Sequence, residues 1–343
     1  MINSNIREPV FAGRFYEGNS ARLKNQLNQL FDDAGKIDFW GDVSGNSLQA
    51  LIVPHAGYVF SGKIAASAYH FLNREKKYKR IFILASSHRY SFNGVAVYDI
   101  GNYSSPLGEI KTDTLLATEL AEKSPLFFVH PEAHEAEHSI EVQLPFLQYV
   151  LGDDFTLVPL VIGTHNPATC HEIAEILKTW FTPENLFVIS TDFSHYPKYS
   201  DACENDKKTA DAICRNLPEK LVSTINSKEN QNIHGLATSL CGWTSVLTLL
   251  YLTQGKSYSY HEIAYQNSGD APFYGEKNRV VGYWAIAVTE NKTEFVIDKS
   301  EKEELLKKAR NAISFFVKTG ERGKIQPPET HGKIGRASCR ERV

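Results

Sequence analysis

Three stretches decide the fold: QALIVPHAG at residues 49–57, KRIFILASSH at 79–88 and NLFVISTDFSH at 185–195. Each is a short apolar run that stops at a polar cluster holding a histidine. The runs do not alternate apolar with polar residues, so both faces must be covered, as in strands with layers on either side. Runs at 94–98, 155–162, 262–265 and 280–288 predict further strands. Between them, 21–31, 62–73, 112–121, 140–151, 169–180 and 238–252 repeat apolar residues at three- and four-residue spacing and read as helices. Strands alternating with helices predict an α/β protein, a three-layer α/β/α sandwich.

Composition narrows the function. The 343 residues carry 37 Lys plus Arg against 40 Asp plus Glu, a net charge of −3. That leaves no basic excess for a nucleic-acid backbone. No apolar run approaches the ~20 residues of a membrane span, so no membrane partner is expected. The five cysteines form no CxxC pair, which fits a reducing cytoplasm better than a disulfide scaffold. No GxSxG elbow, GxxxxGK[ST] loop or GxGxxG turn is present.

Chemistry in such sheets gathers at the carboxyl ends of strands. There the sequence places His55, then His88, then Asp192 with His195. Imidazole is the commonest transition-metal ligand, and carboxylates or thiolates complete such sites. Two further segments are candidates. AEHSIEVQLPFL puts Glu137 and His138 at a predicted helix start with Glu141 one turn on. Those acids read equally as complements to the helix dipole, whereas His138 could face the crevice. Cys241 lies near the start of an apolar helix, where it is either a small core residue or a metal ligand or reactive thiol. The other histidines, His130 and His134 among them, read as loop or surface residues. Asp270 reads as a turn residue rather than a site group.

Near residue 290 the sheet pattern ends. A linker is expected at 291–299, then a helix over 300–320 with Ser300 and Glu303 as a capping box. Its apolar stripe, Leu305, Leu306, Ala309, Ala312, Ile313, Phe316 and Val317, needs a cover. Residues 321–343 show no periodic pattern and are expected to be disordered or non-native, a truncation or read-through scar.

In chain order, REPVFAGRFY (7–16), PHAGYVFSG (54–62), SSH (86–88), EHSIEVQLPF (137–146), STDFSHY (190–196), LCG (240–242) and NSGD with VVGYWAI (267–286) resemble the Memo family. In bacteria and archaea this family is called AmmeMemoRadiSam system protein B. The resemblance covers residues 6–290. Residues 303–320 resemble the first helix of the AMMECR domain, the system's protein A, so a fusion cut inside its second domain is expected.

The resemblance implies the fold of the class III extradiol dioxygenases (LigB-like), whose ferrous ion is held by two histidines and a glutamate. It implies His55, His88 and Cys241 as metal ligands, with Asp192, His195 and His138 as the catalytic groups beside them. Thiolate in place of carboxylate makes a softer site, so iron or copper is expected, with zinc also accommodated. In animals, Memo is linked to phosphotyrosine-peptide binding and to copper- or iron-dependent redox chemistry. Three functions follow. The first is a metal-dependent oxidoreductase acting on a small molecule or peptide. The second is a non-catalytic peptide- or partner-binding module. The third is metal buffering or delivery. The radical-SAM protein and the AMMECR domain of the same system are the implied partners.

Overall fold

The structure, a computed structural model, describes residues 5–37, 47–227, 230, 232–291 and 299–320. The chain divides into two compact units, Met1–Lys292 and Thr293–Val343. In the first unit the strands are β1 (Asn5–Arg7), β2 (Ser47–Val53), β3 (Arg80–Ser86), β4 (Val95–Val97), β5 (Gly101–Ser105), β6 (Gly108–Ile110), β7 (Phe127–Val129), β8 (Thr156–Ile162), β9 (Asn185–Ser190), β10 (Tyr258–Asn267) and β11 (Gly282–Glu290).

Eight of them form one sheet in the order β10-β11-β2-β9-β3-β8-β4-β7. The centre, β2-β9-β3-β8, is parallel, whereas β11 and β4 run antiparallel to their central neighbours. Successive side chains of a strand point to opposite faces, and the central strands feed two cores accordingly. Leu51, Val53, Ile81, Ile83 and Val188 join one core with helices Ser20–Ala34, Tyr58–Tyr69 and Leu144–Leu151. Ala50, Ile52, Phe82, Leu84, Phe187 and Ile189 join the other with helices Pro167–Leu177, Tyr199–Cys214 and Trp243–Thr253. The fold is therefore mixed α/β with helices on both faces of the sheet.

Local chemistry marks the element ends. Asn19 caps helix Ser20–Ala34 by accepting from the N–H groups of Ala21 and Arg22. Asn166 and Pro167 open helix Pro167–Leu177 in the same manner. At Gly282 a Cβ would lie 1.8 Å from Asp206 Oδ2, so only glycine lets β11 pass that carboxylate.

The sequence reading placed seven strands of the large sheet but not its short edge strand β7, nor the small sheet β1-β5-β6. These segments are three to five residues long and have too few apolar positions to show a period. Helices Tyr199–Cys214 and Pro218–Ile225 were also unmarked. The first is mostly polar, and its buried face includes Asn205, Asp206 and Thr209. The expected helix at 140–151 is two helices, His138–Glu141 and Leu144–Leu151, the second with Pro145 in its first turn.

In the second unit a helix spans Lys299–Thr319 and starts one residue before Ser300. Leu306, Ile313, Phe316 and Val317 are exposed on it. Residues 292–298 and 321–343, where the linker and the non-native tail are expected, lie outside the described residues.

Candidate metal centre

β2, β9 and β3 are neighbours in the sheet and run parallel, so their carboxyl ends open on one spot. His55 leaves β2, Asp192 and His195 leave β9, and His88 leaves β3. Cys241 reaches the same spot from the turn before helix Trp243–Thr253, outside the helix on which the sequence pattern put it. That turn is tight: a Cβ on Gly242 would meet Thr191 Cβ at 2.6 Å and Ser190 O at 2.9 Å. Glycine at 242 therefore lets the cysteine loop lie against the end of β9. Gly242 N–H donates to Thr191 Oγ1 at 2.8 Å and fixes the loop there.

Cys241 Sγ lies 3.2 Å from His55 Nε2 and accepts from Asp192 N–H at 3.1 Å. Candidate ligand atoms of His55, His88 and Cys241 all lie within 4.8 Å of one another. The rings of His55, His88 and His138 are mutually 4.6–5.1 Å apart. Asp192 Oδ1 accepts the His55 backbone N–H at 2.7 Å. His195 stands beside the sulfur and helps lower the thiol, and its buried Nε2 has no hydrogen-bond partner among the described residues. All six residues singled out in the sequence thus gather at one place.

A hydrogen-bond network fixes the orientation of the His55 ring. Gln143 Nε2 donates to Pro54 O and to Ser190 Oγ, both at 2.9 Å, while its Oε1 accepts from Tyr69 OH at 3.0 Å. Ser190 Oγ spends its one proton on Ser139 O at 2.6 Å. It can therefore only accept from His55 Nδ1, 3.0 Å away. His55 Nδ1 therefore carries a hydrogen, and Nε2 is the ring nitrogen that faces the sulfur.

The electrostatics follow from crowding. Burial pushes the Cys241 thiol up, but the charge of His55 and the nearness of His195 and His88 override it and bring the thiol well below its ordinary value. Thiolate is the ligating form. Burial alone would depress His88, yet its contacts with Cys241 and Glu137 push it up to about 10. His138 moves the other way, lowered by burial and by the charges of His55 and His88. Asp192 is raised by burial.

Three residues here escaped the sequence reading. Glu137, assigned to a helix dipole, is 1% exposed and bonds His88 Nδ1 at 2.8 Å. Ser190 and Gln143 carried no signal, because a serine ending a strand and a glutamine in a helix are commonplace. Glu141 is not a dipole complement but a buried partner of Arg7 at 2.7 Å. His134, read as a loop residue, is fully buried between Tyr103 OH and Ala96 O. Asp270 caps a turn, accepting from Asn267 N–H and Tyr199 OH.

Residues 7–287 match the family model described as Memo-like protein. A MEMO1 family protein of Sulfolobus acidocaldarius is 32% identical over 290 residues, covering 82% of this chain and 98% of the relative. Another, of Desulfurococcus amylolyticus, is 31% identical over 286 residues, covering 82% and 98%. Among solved structures, an uncharacterized Escherichia coli K12 protein aligns with a TM-score of 0.37 and 15% identity, covering 69% of this chain and 99% of that one. That likeness is too slight to bear on fold or function.

Proposed function

Since the chain belongs to the Memo-like protein family, we propose that it is a metal-binding protein working as a metal-dependent oxidoreductase. The observation that carries this is the convergence of His55, His88 and Cys241 with their donor atoms within 4.8 Å. The donor set fits a transition metal: two imidazoles, a sulfur held as thiolate, and an unpartnered buried nitrogen on His195 beside them. His55, His88 and Cys241 would be the ligands of iron or copper, with zinc also suited to the set. When bound, such an ion supplies Lewis acidity and, for iron or copper, electron transfer.

The chain's own groups then divide the remaining work. Asp192, raised by burial, and His195, raised against its own burial chiefly by Cys241, hold and release protons beside the sulfur. His138, kept neutral, offers a hydrogen bond to a small molecule or peptide placed over the centre. Phe11 and Phe15, with ring centroids 5.6 and 5.1 Å from His138, pack against that ring. On this reading the domain is a class III extradiol dioxygenase-like fold working in the cytoplasm. The helix Lys299–Thr319 opens an AMMECR-like domain, and the radical-SAM protein of the same system is the partner.

Exposed Phe273 and Tyr274, the latter 6.1 Å from Phe60, favour a second reading, a peptide- or partner-binding module. Elemental analysis of anaerobically purified protein separates the two. Near-stoichiometric iron or copper is expected. Protein that neither retains nor takes up a transition metal is the binding module. Turnover of a redox substrate, against simple release of the ion, distinguishes an enzyme from a metal buffer or carrier.

A further inference from the structure

The metal ligands are themselves held, and by unequal partners. His88 Nδ1 meets the carboxylate of Glu137 at 2.8 Å, and Glu137 is clamped in turn. Its Oε2 accepts the His88 backbone N–H at 2.9 Å, and its Oε1 accepts Ser139 Oγ at 2.7 Å and Ser139 N–H at 3.2 Å. His55 Nδ1 instead meets a neutral hydroxyl, Ser190 Oγ, at 3.0 Å. Ser139 joins the two supports, because its carbonyl accepts the Ser190 proton while its N–H and hydroxyl hold Glu137.

His88, Glu137 and His138 also have donor atoms close enough to suggest a second ion. The accounting argues otherwise. Both oxygens of Glu137 are already committed to four donors, and His138 Nδ1 stands farther off at 3.3 Å. A carboxylate so occupied orients a ring rather than ligating an ion.

We infer that Glu137 and Ser190 are positioning residues that commit His88 and His55 to ligation through Nε2, with Ser139 as the joint between them. An anionic acceptor at Nδ1 raises the basicity of the opposite nitrogen, and a hydroxyl does so less. The two imidazoles are thus unequal donors, with His88 the stronger. This rests on the metal-binding reading above.

Cobalt(II) is the probe, added to the anaerobic, metal-stripped full chain. Its affinity is read by chelator competition, and its coordination by the visible d–d bands and the thiolate-to-cobalt charge-transfer band. Glu137→Gln and Ser190→Ala should each bind cobalt roughly 10- to 100-fold more weakly. The charge-transfer band should persist, since Cys241 still ligates, while the d–d bands shift as a ring turns. The larger loss is expected for Glu137→Gln. Thermal melting of both variants identifies any that has lost its fold, and the other then decides. Unchanged affinity and spectrum in a folded variant overturn the inference and leave metal binding standing. A parent protein that binds no cobalt overturns the metal reading itself, and this inference with it.

Discussion

Glu137 and Glu141 lie four positions apart in one short segment, and both are buried at 1% exposure or less, yet they serve opposite ends. Glu141 faces Arg7 at 2.7 Å and also accepts from Tyr16 OH and from the backbone N–H groups of Val10 and Phe11. Arg7 spends its other donors on the carbonyls of His134, Glu135 and Glu137. Charge and hydrogen bonds there are closed. On the Glu137 side, imidazoles and a thiolate converge. A closed cluster holds shape, whereas donor atoms all within 4.8 Å of one another are a group that could hold a metal ion. The closed one serves the open one: Glu141 fixes the strap carrying Phe11 and Phe15, whose rings cover His138.

The harshest test of this contrast is Arg7→Ala. It strands Glu141 in the interior, and losing one partner of a buried ion pair costs about 3–5 kcal/mol. Urea unfolding should show a loss of that size. A loss below about 1 kcal/mol would mean that water reaches Glu141 and the clamp is a surface pair.

Cys241→Ser should behave in the opposite way. Serine is close in volume, so folding stability should change little. Metal affinity should fall by more than the roughly 10- to 100-fold typical of losing an outer partner. Cys203, bonded to Asn267 Nδ2 at 3.5 Å, supplies the control, and Cys203→Ser should alter neither property. Metal content and melting temperature of the two variants beside the parent make the measurement. Full occupancy in Cys241→Ser would return that residue to the role of a small core side chain.

What the sequence made legible tracks this same division. Continuous apolar runs revealed the central strands, because burial on both faces leaves no other pattern. Histidines and an aspartate after those runs marked the candidate site, because parallel neighbours bring their ends together. Supporting groups were hidden because their meaning is a matter of geometry. Ser190 acts only through its single proton, spent on Ser139. Gln143 acts only because its amide spans Pro54 and Tyr69. Arg7 and Glu141 are 134 positions apart, and no local window joins them. Helix Tyr199–Cys214 stayed unmarked because it buries polar residues that only tertiary partners satisfy.

One of those residues, Asp206, stands between the two extremes and gives the most graded effect. It is fully buried and accepts from Ser194 N–H and Tyr265 OH, both at 2.8 Å, with the charge of His195 as a weaker influence against burial. Burial dominates and raises its carboxyl from 3.8 to about 7. Below the lower value, folded and unfolded chains both hold the proton, so the group is neutral to stability. Between the two values the folded chain keeps a proton that the unfolded chain has lost, and stability falls as pH rises through that window. Above the upper value both are ionised and the full penalty stands. Asp206→Asn cannot titrate. Its amide oxygen can accept from Ser194 N–H and its nitrogen can donate to the Tyr265 oxygen, so the packing survives. Relative to this variant the parent should lose stability steadily from pH 4 to pH 7, by about 1.4 kcal/mol per unit at the limit and less where the site relaxes. It should level off above that. The check is the difference in unfolding free energy between the two proteins at pH 5, 6, 7 and 8. A difference that does not move with pH would mean that Asp206 stays ionised across that range, and the reading of its burial would fail.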